Sequence, residues 1–419
     1  MSFVEYKVKE KEVTDICFGK KIRNRKAVIV EKYTDDFGVV VEIPSCLNKL
    51  LVRFRNKSIN NAKNLAEVIC PFLNFVKLQI IEENDPKFNI LIQKGIYGLN
   101  FYHASKYLNY CIMVKEIKRI TAIQYTQRIL EFYENLIDLG VLDKNEVEIK
   151  YNFITIEKVG RKKIYRENPF MREPYVVCYP SKNQIKLNKI VNMEEHLWQL
   201  FLQTSEIFAP DITLGIAFQM FGGVRRGEIV NLSIQDIIPT SIIDKNKINI
   251  KIQDRSKEFF ELREKVEISK CGVKKTRLQQ VINFNGRLNI YYENHLKLRD
   301  KILKKSGQVT TALFIDENGL PMSGVRYEQR WAKVKKEFLK ALNLNAYRYY
   351  TELSENNAIW GTHIGRGIFT NLCLKYGLAK NARELANLRG DTYVYSSQPY
   401  IDKFNLVDVI NNSLNNLGE

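Results

Sequence analysis

Apolar residues are spaced differently along successive stretches of the chain, and each spacing predicts a different kind of element. In residues 1–56, Val28 to Tyr33 and Val39 to Ile43 are runs of strand length on either side of Asp35-Asp36-Phe37-Gly38, a turn composition, so a β-rich segment with a hairpin is expected. From 57 to 145 the period becomes helical. Leu65, Ile69, Phe72 and Val76 share one stripe, Tyr107 to Val114 follow, and Ile129, Tyr133, Leu136 and Ile137 precede Gly140, a helix-ending residue, with Thr121 as a candidate cap for the third helix.

Residues 146–185 lose this periodicity. Lys158, Arg161, Lys162, Lys163 and Arg166 precede Pro169, Pro174 and Pro180, which predicts an extended basic linker able to follow a phosphate backbone. The remainder, 186–419, reads as one domain. It opens with helices over 194–208 and 211–221, then turns to strands: Ile248, Ile250 and Ile252 alternate, Val266 and Ile268 suggest a second strand, and Val281 a third after a Cys271-Gly272 turn. Asp316-Glu317-Asn318-Gly319 is a turn and far too short a match for a calcium loop. Val407, Ile410, Leu414 and Leu417 place an amphipathic helix at the C-terminus. The fold class expected is therefore mainly α with a small antiparallel β-sheet.

Composition narrows the partners. The chain has 419 residues, 45% hydrophobic and 27% charged, an ordinary globular balance. Lys and Arg number 65 against 47 Asp and Glu, a net charge of +18 that favours a polyanion, and nucleic acid is the commonest one. The seven cysteines are dispersed without a C-x-x-C pair, so neither a disulfide framework nor a zinc site is suggested, and a reducing cytoplasm fits. The opening residues alternate in charge, unlike a signal peptide, and no uninterrupted apolar run reaches membrane-spanning length, so no membrane role is expected.

Local charge is less decisive. The run Lys20, Lys21, Arg23, Arg25 and Lys26 suits a phosphate contact or a solvated face equally. Lys115, Lys118, Arg119 and Arg128 flank the helical stripe of 57–145, where a DNA clamp and a plain bundle with a charged surface would look alike. His103, His196 and His295 have no ligand spacing and read as structural.

The chemistry concentrates in two arginine motifs and a tyrosine. Gly222-Gly223-Val224-Arg225-Arg226-Gly227-Glu228 follows one apolar helix and opens another, and His363-Ile364-Gly365-Arg366 puts a histidine and an arginine on one helical face. Two guanidiniums can neutralise a pentavalent phosphate, and Tyr400 offers an oxygen nucleophile tethered to the protein. No G-x-x-x-x-G-K-[ST] motif occurs, and the chemistry calls for no metal or other cofactor.

In order and spacing these motifs resemble the tyrosine recombinases, the phage-type integrases. The first box aligns Arg225 with that family's catalytic arginine and Glu228 with its structural acid. His363, Arg366 and Gly377 resemble the second box, and Leu388 to Tyr400 resembles the stretch ending in the nucleophilic tyrosine, with Gly390 matching. Ile268 to Lys274 resembles the β-hairpin bearing the catalytic lysine, which places Lys270 in that role, with Lys274, Lys275 and Arg277 as rivals better suited to positioning phosphates. Tyr393 and Tyr395 rival Tyr400, and spacing from Gly390 favours Tyr400.

The resemblance implies a helical, SAM-like core-binding domain at 57–145 and a catalytic domain at 186–419, closing as a C-shaped clamp on double-stranded DNA. It implies a tetramer on two DNA sites with exchange of the C-terminal helix between protomers, although that helix could equally fold back on its own domain. The activity implied is a bacterial cytoplasmic or nucleoid-associated integrase or transposase working through a 3′-phosphotyrosyl bond. A telomere resolvase, a type IB topoisomerase-like enzyme or a silent DNA-binding accessory protein are the other readings. One position departs from the family, which has His or Trp where Asp391 stands. A carboxylate there must turn away, be protonated, or pair with a cation such as Arg389 or a catalytic arginine, and an orienting role is expected of it.

Overall fold

The computed structural model describes residues 3–17, 20–34, 38–54, 59–82, 85–145, 147–156, 161–181, 188–238, 246–261, 263, 266–379 and 381–391. The chain divides into two units, Met1–Ile185 and Lys186–Glu419.

The first unit opens with a three-stranded antiparallel sheet in sequence order. Val40–Pro44 pairs with Val30–Thr34, the hairpin expected across Asp35 to Gly38. The first strand, Phe3–Cys17, was not legible as one: its charged residues hide the pattern, yet it pairs with Lys20–Thr34 along its whole length, from Phe3↔Thr34 to Cys17↔Lys20. The adjoining helix, Ile59–Ile81, fastens it, since the Tyr6 N–H donates to Asn74 Oδ1 at 2.8 Å and Lys63 pairs with Glu10 at 3.2 Å.

That helix is long and apolar enough, by composition alone, to cross a bilayer. Here Leu65, Ile69, Phe72 and Val76 are buried in the core of the unit, where Phe72 packs against Tyr107, Phe132 and Tyr133. Phe101–Met113 and Arg119–Asp138 supply those rings. The third helix begins two residues before Thr121, which lies in its first turn, and Lys118 takes the cap position without a side-chain bond. Gly140, at φ 69°, closes it by donating its N–H to Ile137 O.

The stretch expected as an extended linker is instead structured. Tyr151–Ile156 and Arg161–Arg166 form an antiparallel hairpin, and Val147, Phe170 and Val177 are buried in the core of the first unit. Burial of these apolar side chains outweighs the reading from prolines and charge.

In the second unit, Pro210–Gly222 is buried on all sides, the expected position of a helix apolar all round. Glu195–Phe208, Ile364–Lys375, Leu288–Ser306 and Gly324–Asn345 surround it. Gly223 ends it at φ 61°, donating its N–H to Gln219 O, and Phe369 sits where a Cβ would be, so only glycine fits there.

Lys247–Ile252 pairs antiparallel with Arg277–Ile282, and Ile248, Ile250 and Ile252 face the core as their alternation predicts. The intermediate strand expected at Val266 and Ile268 is absent. A short helix at Ser256–Phe260 buries Phe259 and Phe260, and Ile268–Lys270 is a single 3-10 turn. Asp316 holds its turn by accepting from the Asn318 and Leu320 N–H groups. Tyr393, Tyr395, Tyr400 and the helix expected at Val407 to Leu417 lie outside the described residues.

Phe72→Ala should lower the stability of the first unit by about 3–5 kcal/mol, the cost of a large cavity among packed rings. A urea titration followed by circular dichroism, with the fluorescence of Trp198, Trp331 and Trp360 as an independent report from the second unit, should show a shift in the first unit's transition alone.

Candidate active site

Arg225 stands just past the Gly223 turn, at the start of the Arg226–Ile229 helix. Glu228, three residues on, reaches back as helix-capping acids do: its Oε2 accepts from the Arg225 N–H at 2.8 Å and its Oε1 from Arg225 Nη1 at 2.9 Å. Arg277, on the strand Arg277–Ile282, donates from Nη1 and Nη2 to the same carboxylate at 2.7 and 3.0 Å. Burial alone would raise the Glu228 carboxyl, yet the Arg277 hydrogen bonds and charge, with the Arg225 N–H and charge, hold it below the usual carboxylate range.

Arg366 lies one turn into Ile364–Lys375 and is buried, with Nη1 donating to the Gly223 carbonyl. The residue that stops the preceding helix therefore also aims the second arginine. Arg225 Nη2 and Arg366 Nη2 both donate to Asp391 Oδ1, at 2.6 and 2.7 Å. A third cation, Arg389, is 1% exposed, places Nε 3.2 Å from Asp391 Oδ2 and donates from Nη1 to Thr370 Oγ1 at 2.9 Å.

Among the described residues, four guanidiniums thus gather around two carboxylates, an excess of two positive charges, and of the four arginines Arg225 is the most open to solvent. Burial first, then the Arg225 and Arg389 charges, pull Arg366 down to about 9, while Asp391 and Glu228 oppose them. At neutral pH it stays charged. Gly390, at φ 65°, ends the Ala382–Arg389 helix, and a Cβ on it would collide with Arg277 Nε. That close approach joins the segment carrying Asp391 to the Glu228 network.

The structure thus brings Arg225, Glu228, Arg366, Gly390 and Asp391 together. Arg389, expected only as one candidate partner for Asp391, joins them as a member of the site. His363 is exposed at the N-terminal cap position of Ile364–Lys375.

Lys270 ends the 3-10 turn, exposed, rather than lying on a β-hairpin. Its turn is nonetheless tied to the arginine helix, because Asn231 Nδ2 donates to both Gly227 O and Cys271 O, at 2.7 and 2.5 Å. Lys274 and Lys275 are exposed ahead of the strand. Arg277 is not available in the same way: its side chain is 9% exposed and bound to Glu228, so an internal ion pair replaces the phosphate contact expected of it.

In the first unit, Lys115 is exposed with Nζ 5.4 Å from the Tyr110 ring centre, and Lys118 is exposed. Arg119 donates to Pro180 O at 2.8 Å and Arg128 to Glu131 at 2.7 Å, so both have partners inside the unit. Arg161, Lys162 and Lys163 lie on a hairpin strand, and their side chains fall outside the described residues. The remaining histidines all have packing contacts, His196 with its ring 5.0 Å from that of Tyr349. His103 closes a helix cap with the Asn100 N–H, and buried His295 is 3.0 Å from Leu313 O and held down at about 4 by burial.

No family model and no curated protein matches the sequence. Among solved structures, the chain is similar to the Tn1549 transposon integrase in complex with circular intermediate DNA (14% identity, 85% of this chain and 95% of that one, TM-score 0.47). It is also similar to the XerH site-specific recombinase bound to difH substrate (16%, 87% and 82%, TM-score 0.46) and to a lambda integrase dimer bound to a COC′ core site (13%, 85% and 94%, TM-score 0.46). Identities and scores this low leave the activity to be argued from the site itself.

Glu228→Gln should destabilise the second unit by about 3–5 kcal/mol, since it leaves buried guanidiniums short of a counter-charge. A carboxyl lowered by folding contributes stability above its ordinary value of 4.5 and loses it as pH falls through the lower folded value. The gap between wild type and variant in denaturant midpoint should therefore be full above pH 4.5 and close on further acidification.

Proposed function

We propose that this chain is a site-specific DNA recombinase, the integrase or transposase of a mobile element, that cuts and rejoins DNA through a 3′-phosphotyrosyl bond at Tyr400. The observation that carries this reading is the convergence of Arg225 Nη2 and Arg366 Nη2 on a single oxygen, at 2.6 and 2.7 Å. Two guanidiniums fixed by other bonds and sharing one oxyanion are what a non-bridging phosphate oxygen requires as charge builds on it. Lysines would hold that geometry less well, lacking the rigid fork.

In this mechanism the Tyr400 hydroxyl oxygen attacks the scissile phosphorus and the bond from phosphorus to the 5′ oxygen breaks. His363 accepts the tyrosine proton, and Lys270 donates one to the departing 5′ oxygen. The phosphotyrosyl bond keeps the energy of the phosphodiester, so a 5′ hydroxyl from another strand can reverse the step without nucleotide hydrolysis. An unperturbed phenol titrates near 10, so the positive field of the arginines is also what would make Tyr400 reactive at neutral pH.

The net charge of +18 and the exposed Lys115, Lys118, Lys274 and Lys275 support double-stranded DNA as the partner. We further propose that the two units close on the duplex as a clamp, that four protomers assemble on two DNA sites by exchanging C-terminal helices, and that the protein acts in the bacterial cytoplasm or nucleoid. One observation favours a second reading, a silent DNA-binding accessory protein: Asp391 fills the arginine clamp with a negative charge.

Incubation with a nicked suicide substrate separates the two. The recombinase reading expects a covalent protein–DNA adduct from wild type, none from Tyr400→Phe, and a loss of roughly 100- to 1000-fold from Arg225→Ala. An adduct undiminished in Tyr400→Phe would refute the nucleophile, and no adduct from wild type on any integration site would favour the accessory reading.

A further inference from the structure

We infer that Asp391 is a positioning residue that holds the Arg225–Arg366 clamp as an internal stand-in for phosphate, and that it leaves at least one of the two guanidiniums when a DNA phosphodiester enters. The inference rests on the phosphate-binding role proposed above and adds what occupies that site before DNA does.

The remaining bonds of both arginines narrow the choice. Arg225 Nη1 is held by Glu228 and Arg366 Nη1 by the Gly223 carbonyl, so on each residue Nη2 is the terminal nitrogen turned toward the common point. That point is Asp391 Oδ1, with the Asp391 and Arg366 side chains only 4% and 3% exposed. A phosphate oxygen drawn to the same pair would meet a like charge at contact distance among largely buried side chains, where repulsion is strongest. Carboxylate and phosphate cannot both keep the two Nη2 groups.

The pocket also provides somewhere for the carboxylate to go. Arg389 Nε lies 3.2 Å from Oδ2 without hydrogen-bond alignment, and both atoms are buried. A modest rotation of the carboxylate toward Arg389 would form that bond while freeing one or both nitrogens of the clamp. The carboxylate would keep a cationic partner throughout, which avoids stranding a buried charge. In the absence of DNA, the same carboxylate keeps two repelling guanidiniums at the separation a phosphate needs.

A permanent structural tie would make a different prediction from a displaceable one. Asp391→Asn keeps the shape and one acceptor oxygen but removes the competing charge. Fluorescence anisotropy with a short mixed-sequence duplex at low salt should show this variant binding about tenfold more tightly than wild type, with the advantage shrinking as salt is raised. Asp391→Glu, which restores the charge, should return affinity toward that of wild type. A folded Asp391→Asn protein binding DNA no more tightly, or more weakly, would overturn the inference.

If that variant does not fold, a structure of the wild type bound to the duplex decides instead. Displacement expects Oδ1 beyond hydrogen-bond distance of Arg225 Nη2 or Arg366 Nη2, and its retention on both would overturn the inference. These readouts report binding rather than cleavage. Tighter binding by Asp391→Asn together with no covalent adduct from wild type would therefore sink the recombinase reading and leave the phosphate stand-in intact.

Discussion

The candidate site of the second unit turns on one electrostatic problem: gathering four guanidiniums, three of them largely buried. Left alone they would repel one another and lose their hydration, a cost no apolar contact nearby could offset. Glu228 and Asp391 make the arrangement possible. Glu228 answers Arg225 and Arg277, while Asp391 answers Arg225, Arg366 and Arg389. Among the described residues, two carboxylates against four cations leave a positive surplus, which is what the proposed phosphate role calls for.

Backbone geometry sets where the cations stand. Gly223 turns the chain sharply after a fully buried helix, launching Arg225 outward and offering its own carbonyl to Arg366. Gly390 makes the corresponding turn after Ala382–Arg389 and sets Asp391 between the two arginines. Positive φ and the lack of a side chain are needed at both places, since Phe369 and Arg277 occupy the space of a Cβ. Rigid turns on packed helices suit the proposed role, in which the arginines stay in place while charge builds beside them.

Much of this was legible in the sequence, for identifiable reasons. The stripe of Leu65, Ile69, Phe72 and Val76 and the alternation of Ile248, Ile250 and Ile252 report burial directly, and both lie in the elements they predict. What escaped depends on contacts distant in sequence. Phe3–Cys17 is a strand because a partner of equal length pairs with it, and the Lys and Glu residues that mask its pattern belong to a ribbon rather than a core. Val147, Phe170 and Val177 turn a basic, proline-bearing stretch into part of a core, which no local pattern reveals.

At the site, motif spacing pointed to Arg225, Glu228 and Arg366, and Arg389, two residues before Asp391, was legible as a candidate partner for it, whereas the use of Arg277 on Glu228 depends on a strand meeting a helix start across a long sequence separation. Asp391 stood out as a departure with pairing among its options, and the structure provides three partners for it.

In the proposed function a cation pair cradles a phosphate while a tyrosine oxygen becomes covalently bound to it. The decisive measurement is to trap the protein on a suicide substrate, digest both components and locate the nucleotide remnant by mass spectrometry. The expected remnant is joined through its 3′ phosphate to the peptide containing Tyr400, at the Tyr400 oxygen. A remnant on any other side chain, or one joined through a 5′ phosphate, would contradict the proposal.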